Sequence, residues 1–140
     1  MKNRFYGFNF LPLLVLLCAV GCGGGNVPMG GTVTFSDNGE PVTVGTVFFT
    51  TDTFEAYGPL QSDGTYKIGS VKEADGLPPG KYKVYIRDAH EYQRVGEGDN
   101  VVDNVVPLIA PKYASPTTSD LEVEVTSSQR TFDFTVDRPK

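Results

Sequence analysis

The chain has 140 residues, with 12 Lys and Arg against 17 Asp and Glu and a single histidine. That is enough for one domain, and too acidic for nucleic-acid binding, which relies on cations that neutralise phosphates. Two cysteines in the whole chain leave no room for a disulfide framework or a thiolate zinc site.

The N-terminus carries Lys2 and Arg4, and the first acidic residue is Asp37. Residues 8–20 (FNFLPLLVLLCAV) are an apolar run of 13 residues. As a helix they would rise roughly 20 Å, short of the ~30 Å bilayer core, and Pro12 interrupts them. The run therefore fits the h-region of a signal peptide over residues 1–21. It closes in Ala19-Val20-Gly21-Cys22, followed by Gly23-Gly24-Gly25-Asn26. Small residues before a cysteine resemble the lipobox of bacterial lipoproteins, with Ala19 where that family commonly has Leu. The resemblance implies that Cys22 becomes the acylated N-terminus, carrying a diacylglycerol and a palmitate-type chain. Several acyl chains give stable anchoring where one does not. The alternative is an ordinary secretory signal with an incidental cysteine. Residues 22–29 then read as a flexible lipidated tether.

Removing residues 1–21 leaves 119 residues with 10 Lys and Arg against 17 Asp and Glu, a formal charge of −7. Charge alone would not hold such a domain on anionic lipid. With Cys22 acylated, no free thiol remains for a disulfide, a metal or nucleophilic catalysis.

Residues 30–140 read as one domain dominated by two-residue alternation, the period of half-buried strands. Residues 31–36 place Val33 and Phe35 on one face. Residues 37–41 (DNGEP) read as a turn, because Asn-Gly tolerates positive φ. Residues 43–50 form a second strand, and residues 54–61 a third that Gly58-Pro59 limits to an edge or an irregular piece. Ser62-Asp63-Gly64 turns into residues 65–69, with Tyr66 and Ile68 on one face. Residues 81–87 (KYKVYIR) point Tyr82, Val84 and Ile86 inward, and Lys81, Lys83, Tyr85 and Arg87 outward. Residues 120–126 turn Leu121, Val123 and Val125 inward, and residues 131–136 do the same with Phe132, Phe134 and Val136. Residues 88–118 are expected to be a long loop, broken by a short strand over residues 101–108. Loops of that length are uncommon unless functional or mobile.

About seven short strands with frequent turns and no convincing helix predict an all-β, antiparallel two-sheet sandwich. The segments GTVTFSDNGEPVTVGTVFF, SDGTYKI, LPPGKYKVYI and PKYASPTTSDLEVEV resemble the carboxypeptidase regulatory-like, transthyretin-like (prealbumin-like, Ig-like) domains of small bacterial lipoproteins. The match rests on Asp63, Gly64, Tyr66, Gly80 and Tyr82, which are fold-determining positions, so it implies architecture and not activity.

Catalytic chemistries find little to work with. Transthyretin-like hydrolases of purine intermediates use several histidines and end Tyr-Arg-Gly-Ser; this chain ends Asp-Arg-Pro-Lys. One histidine cannot supply a two-histidine iron site. Lys67, the first lysine of the exported part, lies past the strand on which an isopeptide bond would form. His90 has no Gly-x-Ser-x-Gly partner for a triad. Asp99, Asn100, Asp103 and Asn104 offer oxygen atoms to a cation but lack the spacing of a calcium loop. No catalytic residue, metal or cofactor is expected.

The sequence therefore predicts a non-enzymatic protein of the cell envelope, exported and lipid-anchored through Cys22, facing periplasm or exterior. It would act as a structural or protein-binding module with an envelope protein as partner. The alternative is a carbohydrate or small-ligand domain using the 88–118 loop and exposed tyrosines Tyr85, Tyr92 and Tyr113, from an aromatic set that also includes Tyr57.

Overall fold

The computed structural model describes residues 25–72 and 74–140. Their nine strands are β1 (Met29–Phe35), β2 (Thr46–Thr50), β3 (Glu55–Pro59), β4 (Thr65–Ile68), β5 (Gly80–Arg87), β6 (His90–Val95), β7 (Val102–Pro107), β8 (Leu121–Val125) and β9 (Phe134–Val136). Two short 3-10 turns, Gly98–Asn100 and Pro111–Ala114, are the only helical pieces among the described residues. Residues 1–21, expected to be a signal peptide, and Cys22 lie outside them.

Alternation decides which side of each strand is buried. Val33 and Phe35 on β1, Val47 and Phe49 on β2, Tyr66 and Ile68 on β4, and Tyr82, Val84 and Ile86 on β5 are all buried. The order β3-β2-β5-β8 makes a four-stranded antiparallel sheet, and β4-β1-β9 a three-stranded one. Rings from both sheets meet in one core. Phe49 of the first lies 6.2 Å from Tyr66 and 6.1 Å from Phe134 of the second, centroid to centroid. The turn between β3 and β4 is made as its residues require. Gly64 takes a φ of +77°, which a side chain would resist. The Asp63 carboxylate accepts from the Thr65 amide (3.0 Å) and hydroxyl (2.6 Å).

The all-β reading stands, with three differences in detail. The described residues form nine strands in three sheets, where about seven in two were expected. The structure is not antiparallel throughout, because β1 pairs with β9 in parallel, Val33 beside Phe134 and Phe35 beside Val136. Residues 88–118 are not a structureless loop. They contain the β6–β7 hairpin, which forms the third sheet. The mixture of charged and apolar residues along residues 90–107 hid this pairing, since no face of it is buried.

At the N-terminal side the packed domain begins early. Val27 is buried and exchanges backbone hydrogen bonds with Leu77, at 2.8 and 3.2 Å, and Met29 is also buried. Residues 27–29 of the expected 22–29 tether therefore belong to the fold.

Candidate functional site

The β6–β7 ribbon stands apart from the core. His90 pairs with Pro107, Tyr92 with Val105, Arg94 with Asp103 and Val95 with Val102. Among the described residues, the exposed large apolar side chains include Tyr92, Val95, Val101, Val102 and Val105, all on this ribbon. Its base is clamped by the Leu108 amide, which donates to the Ala89 carbonyl at 2.9 Å. Its tip turns through Gly96 (φ +119°) and Gly98 (φ +62°). One face carries His90, Tyr92 and Arg94. The His90 and Tyr92 rings meet edge to face at 5.1 Å, with Nε2 3.2 Å from the Tyr92 hydroxyl. The Arg94 guanidinium lies 3.5 Å from Asp103.

The tyrosines expected to be exposed do not come together. Tyr92 is exposed on the ribbon. Tyr85 is only 6% exposed, contrary to the outward, solvent-facing position read from its strand. It does point away from the core, but it stacks on Phe48 across β2 at 4.9 Å and 13°, and donates to Glu55 Oε2 at 2.7 Å. Burial first, and the Glu55 carboxylate second, push its phenol up to about 12. Tyr113 is 3% exposed. It packs into the core from the second 3-10 turn, and its hydroxyl donates to Asp137 Oδ2 at 3.2 Å. Strand alternation tells inside from outside of a sheet, but a neighbouring aromatic or a folded-back turn can cover an outward side chain.

Tyr57, Phe48 and Tyr85 do form one rank across β3, β2 and β5. Phe48 was not singled out in the sequence; the adjacent pair Phe48-Phe49 was the available signal, since one of two neighbours on a strand must face outward. The rings stand side by side at 5.7 and 4.9 Å, close to the spacing of the strands themselves. Phe48 and Tyr85 therefore cover each other's faces, and a sugar ring that stacks needs a free face. Such a rank stabilises the sheet as a cross-strand ladder.

No protein-family model matches the chain, and no curated protein is significantly similar to it. Among solved structures it is similar to a 9R-lipoxygenase from Cyanothece PCC8801, at 15% identity and a TM-score of 0.36. The match covers 81% of this chain and 16% of the lipoxygenase chain. A likeness at that level carries no argument about fold or activity.

The remaining polar groups are organised around the fold. Tyr66 donates to the Phe132 carbonyl at 2.6 Å, and burial raises its phenol strongly. The Asp75 carboxylate accepts from the amides of Ser70 (2.6 Å), Lys72 (3.1 Å) and Val71 (3.2 Å). Those bonds, that of Ser70 foremost, hold it below the usual carboxylate range. Lys112 bridges Asp120 at 2.9 Å and Asp137 at 3.5 Å. Its amine is raised, chiefly by the Asp120 hydrogen bond. Among the described residues, no three His, Cys, Asp or Glu side chains converge as a metal site would require. Glu91 lies next to His90 along β6 and so points to the opposite face of the ribbon.

Proposed function

We propose that this chain is the precursor of a lipid-anchored protein of the bacterial envelope whose domain holds another protein and performs no catalysis. Cys22 would carry the lipid. The domain would be a two-sheet sandwich of transthyretin-like type, with the β6–β7 ribbon as an added arm. The two larger sheets contain seven strands between them, and the contact of Phe49 with Tyr66 and Phe134 supports their enclosing a single core.

The observation that carries the binding role is the ribbon. A two-stranded hairpin without a covered face is marginal in water, and it presents unpaired backbone groups at its edges. Exposed Val95, Val102 and Val105 add apolar surface. Both features suit addition of a partner strand or packing against a partner face. Glu91, Glu97, Asp99 and Asp103 outweigh Arg94 on this arm, which favours a neutral or basic partner over a second acidic copy.

Two measurements test the reading. Replacing Cys22 by Ala should release the protein from the membrane fraction, and a Cys22→Ala protein that stays there defeats the anchor. A photo-crosslinking residue at Tyr92 in intact cells should give one discrete product, and Val102→Asp with Val105→Asp should abolish it. A diffuse smear, or a product indifferent to those substitutions, counts against the arm.

A further inference from the structure

The two larger sheets have two seams, and only one is closed. On the β3/β4 side, Tyr57 and Gly69 exchange backbone hydrogen bonds, each 3.0 Å long, and so join the sheets. On the other side, β8 ends one sheet and β9 ends the other. Between them runs a groove of about 570 Å³ with Leu121, Val123 and Phe132 along its floor. These three pack against the core yet remain only partly buried. No lysine or arginine lines the groove, whereas Glu122, Glu124 and Asp133 do.

The outer face of the four-stranded sheet has a charge pattern that stops at this seam. Lys81 and Lys83 on β5 stand opposite Glu124 and Glu122 on β8. Lys83 and Glu122 form an ion pair, while Glu124 makes none among the described residues. Cation on one strand and carboxylate on the next is the favourable cross-strand arrangement. The next strand outward would continue it with cations. Its alternate side chains would point inward, over Leu121, Val123 and Phe132.

We infer that the free edge of β8 is a strand-addition site for an extended segment of a partner protein that alternates apolar residues with Lys or Arg. Among the described strands, β5 alone alternates apolar residues with more than one Lys or Arg, and β5 is already paired on both sides. The partner is therefore another protein. The inference rests on the protein-binding role proposed above, but places a second contact away from the ribbon.

The probe is a synthetic peptide of alternating lysine and valine, titrated into the full-length protein in non-ionic detergent, with amide hydrogen exchange mapping the site. Protection is expected over residues 121–125 and 131–134. Glu122→Lys with Glu124→Lys should weaken binding by roughly tenfold or more. Both positions are exposed, so the fold should survive, which the exchange of the core amides checks directly. The same peptide N-methylated at alternate residues should lose binding to a similar extent, because it cannot extend the backbone ladder. The inference is overturned by no binding up to about 1 mM, by protection confined to other residues, or by indifference to charge reversal or to N-methylation. If the groove fails while the ribbon still crosslinks in cells, the binding role stands without it; if both fail, that role falls too.

Discussion

Tyr66 shows how much one polar atom can matter in this core. Its ring is buried and its hydroxyl satisfies the Phe132 carbonyl beside the close approach of Gly31. Tyr66→Phe leaves that carbonyl unmatched while keeping the ring. The expected loss is about 1–3 kcal/mol, read as a lower denaturant midpoint at unchanged slope. Tyr85 makes a prediction of a different kind. Burial and the Glu55 carboxylate push its phenol up to about 12, above the ~10 of an unfolded tyrosine. A group raised on folding contributes stability that is fully present below the unfolded value and is lost as pH rises through the folded one. Stability should therefore fall between about pH 10 and 12, with buried Tyr66 contributing as well, and Tyr85→Phe should lessen that decline. If ultraviolet titration shows every tyrosine ionising near 10, the buried stack is wrong. The sequence placed Tyr66 on one face of its strand with Ile68, and the structure buries that face. The sequence could not show that Tyr85 is covered, because the cover comes from Phe48 and Glu55 on neighbouring strands.

At the level of elements, legibility followed burial. The strands β1, β2, β4 and β5 were readable because one face of each meets the core and must be apolar. For β3, Gly58-Pro59 left an edge strand or an irregular piece open, since a proline cannot serve an interior ladder, and the structure makes it an edge strand. The ribbon was not, because neither of its faces is buried and its pairing leaves no periodic trace. Its short partner β7 overlaps the strand expected over residues 101–108; β6 had no counterpart. An element held only by its own ladder should open readily. Ribbon amides are therefore expected to exchange far faster than those of β2 or β5. Replacing residues 91–106 by a short glycine turn, with the Ala89–Leu108 clamp retained, should leave the thermal midpoint within about 4 °C of the parent. A larger drop would mean that the ribbon supports the core, and would weaken its assignment as a binding arm.

Across the whole molecule, the candidate binding features occupy separate places: an arm clamped at Ala89 and Leu108, and a seam between β8 and β9. Neither could be read from residue types alone, because the seam depends on which strands end each sheet. The parallel pairing of β1 with β9 has a further, mechanical meaning. Hydrogen bonds tie the two strands along their length: Gly30 with Arg130 and Phe132, Thr32 with Asp133, and Ser36 with Val136 and Asp137. Tension applied between Met29 and Val136 pulls these neighbours in opposite senses along a shared axis. The load then falls on all the rungs together, in shear, and not on one rung after another as in a zipper. A domain tethered by its first strand and tugged through its last would resist force at the place where its two ends lie side by side.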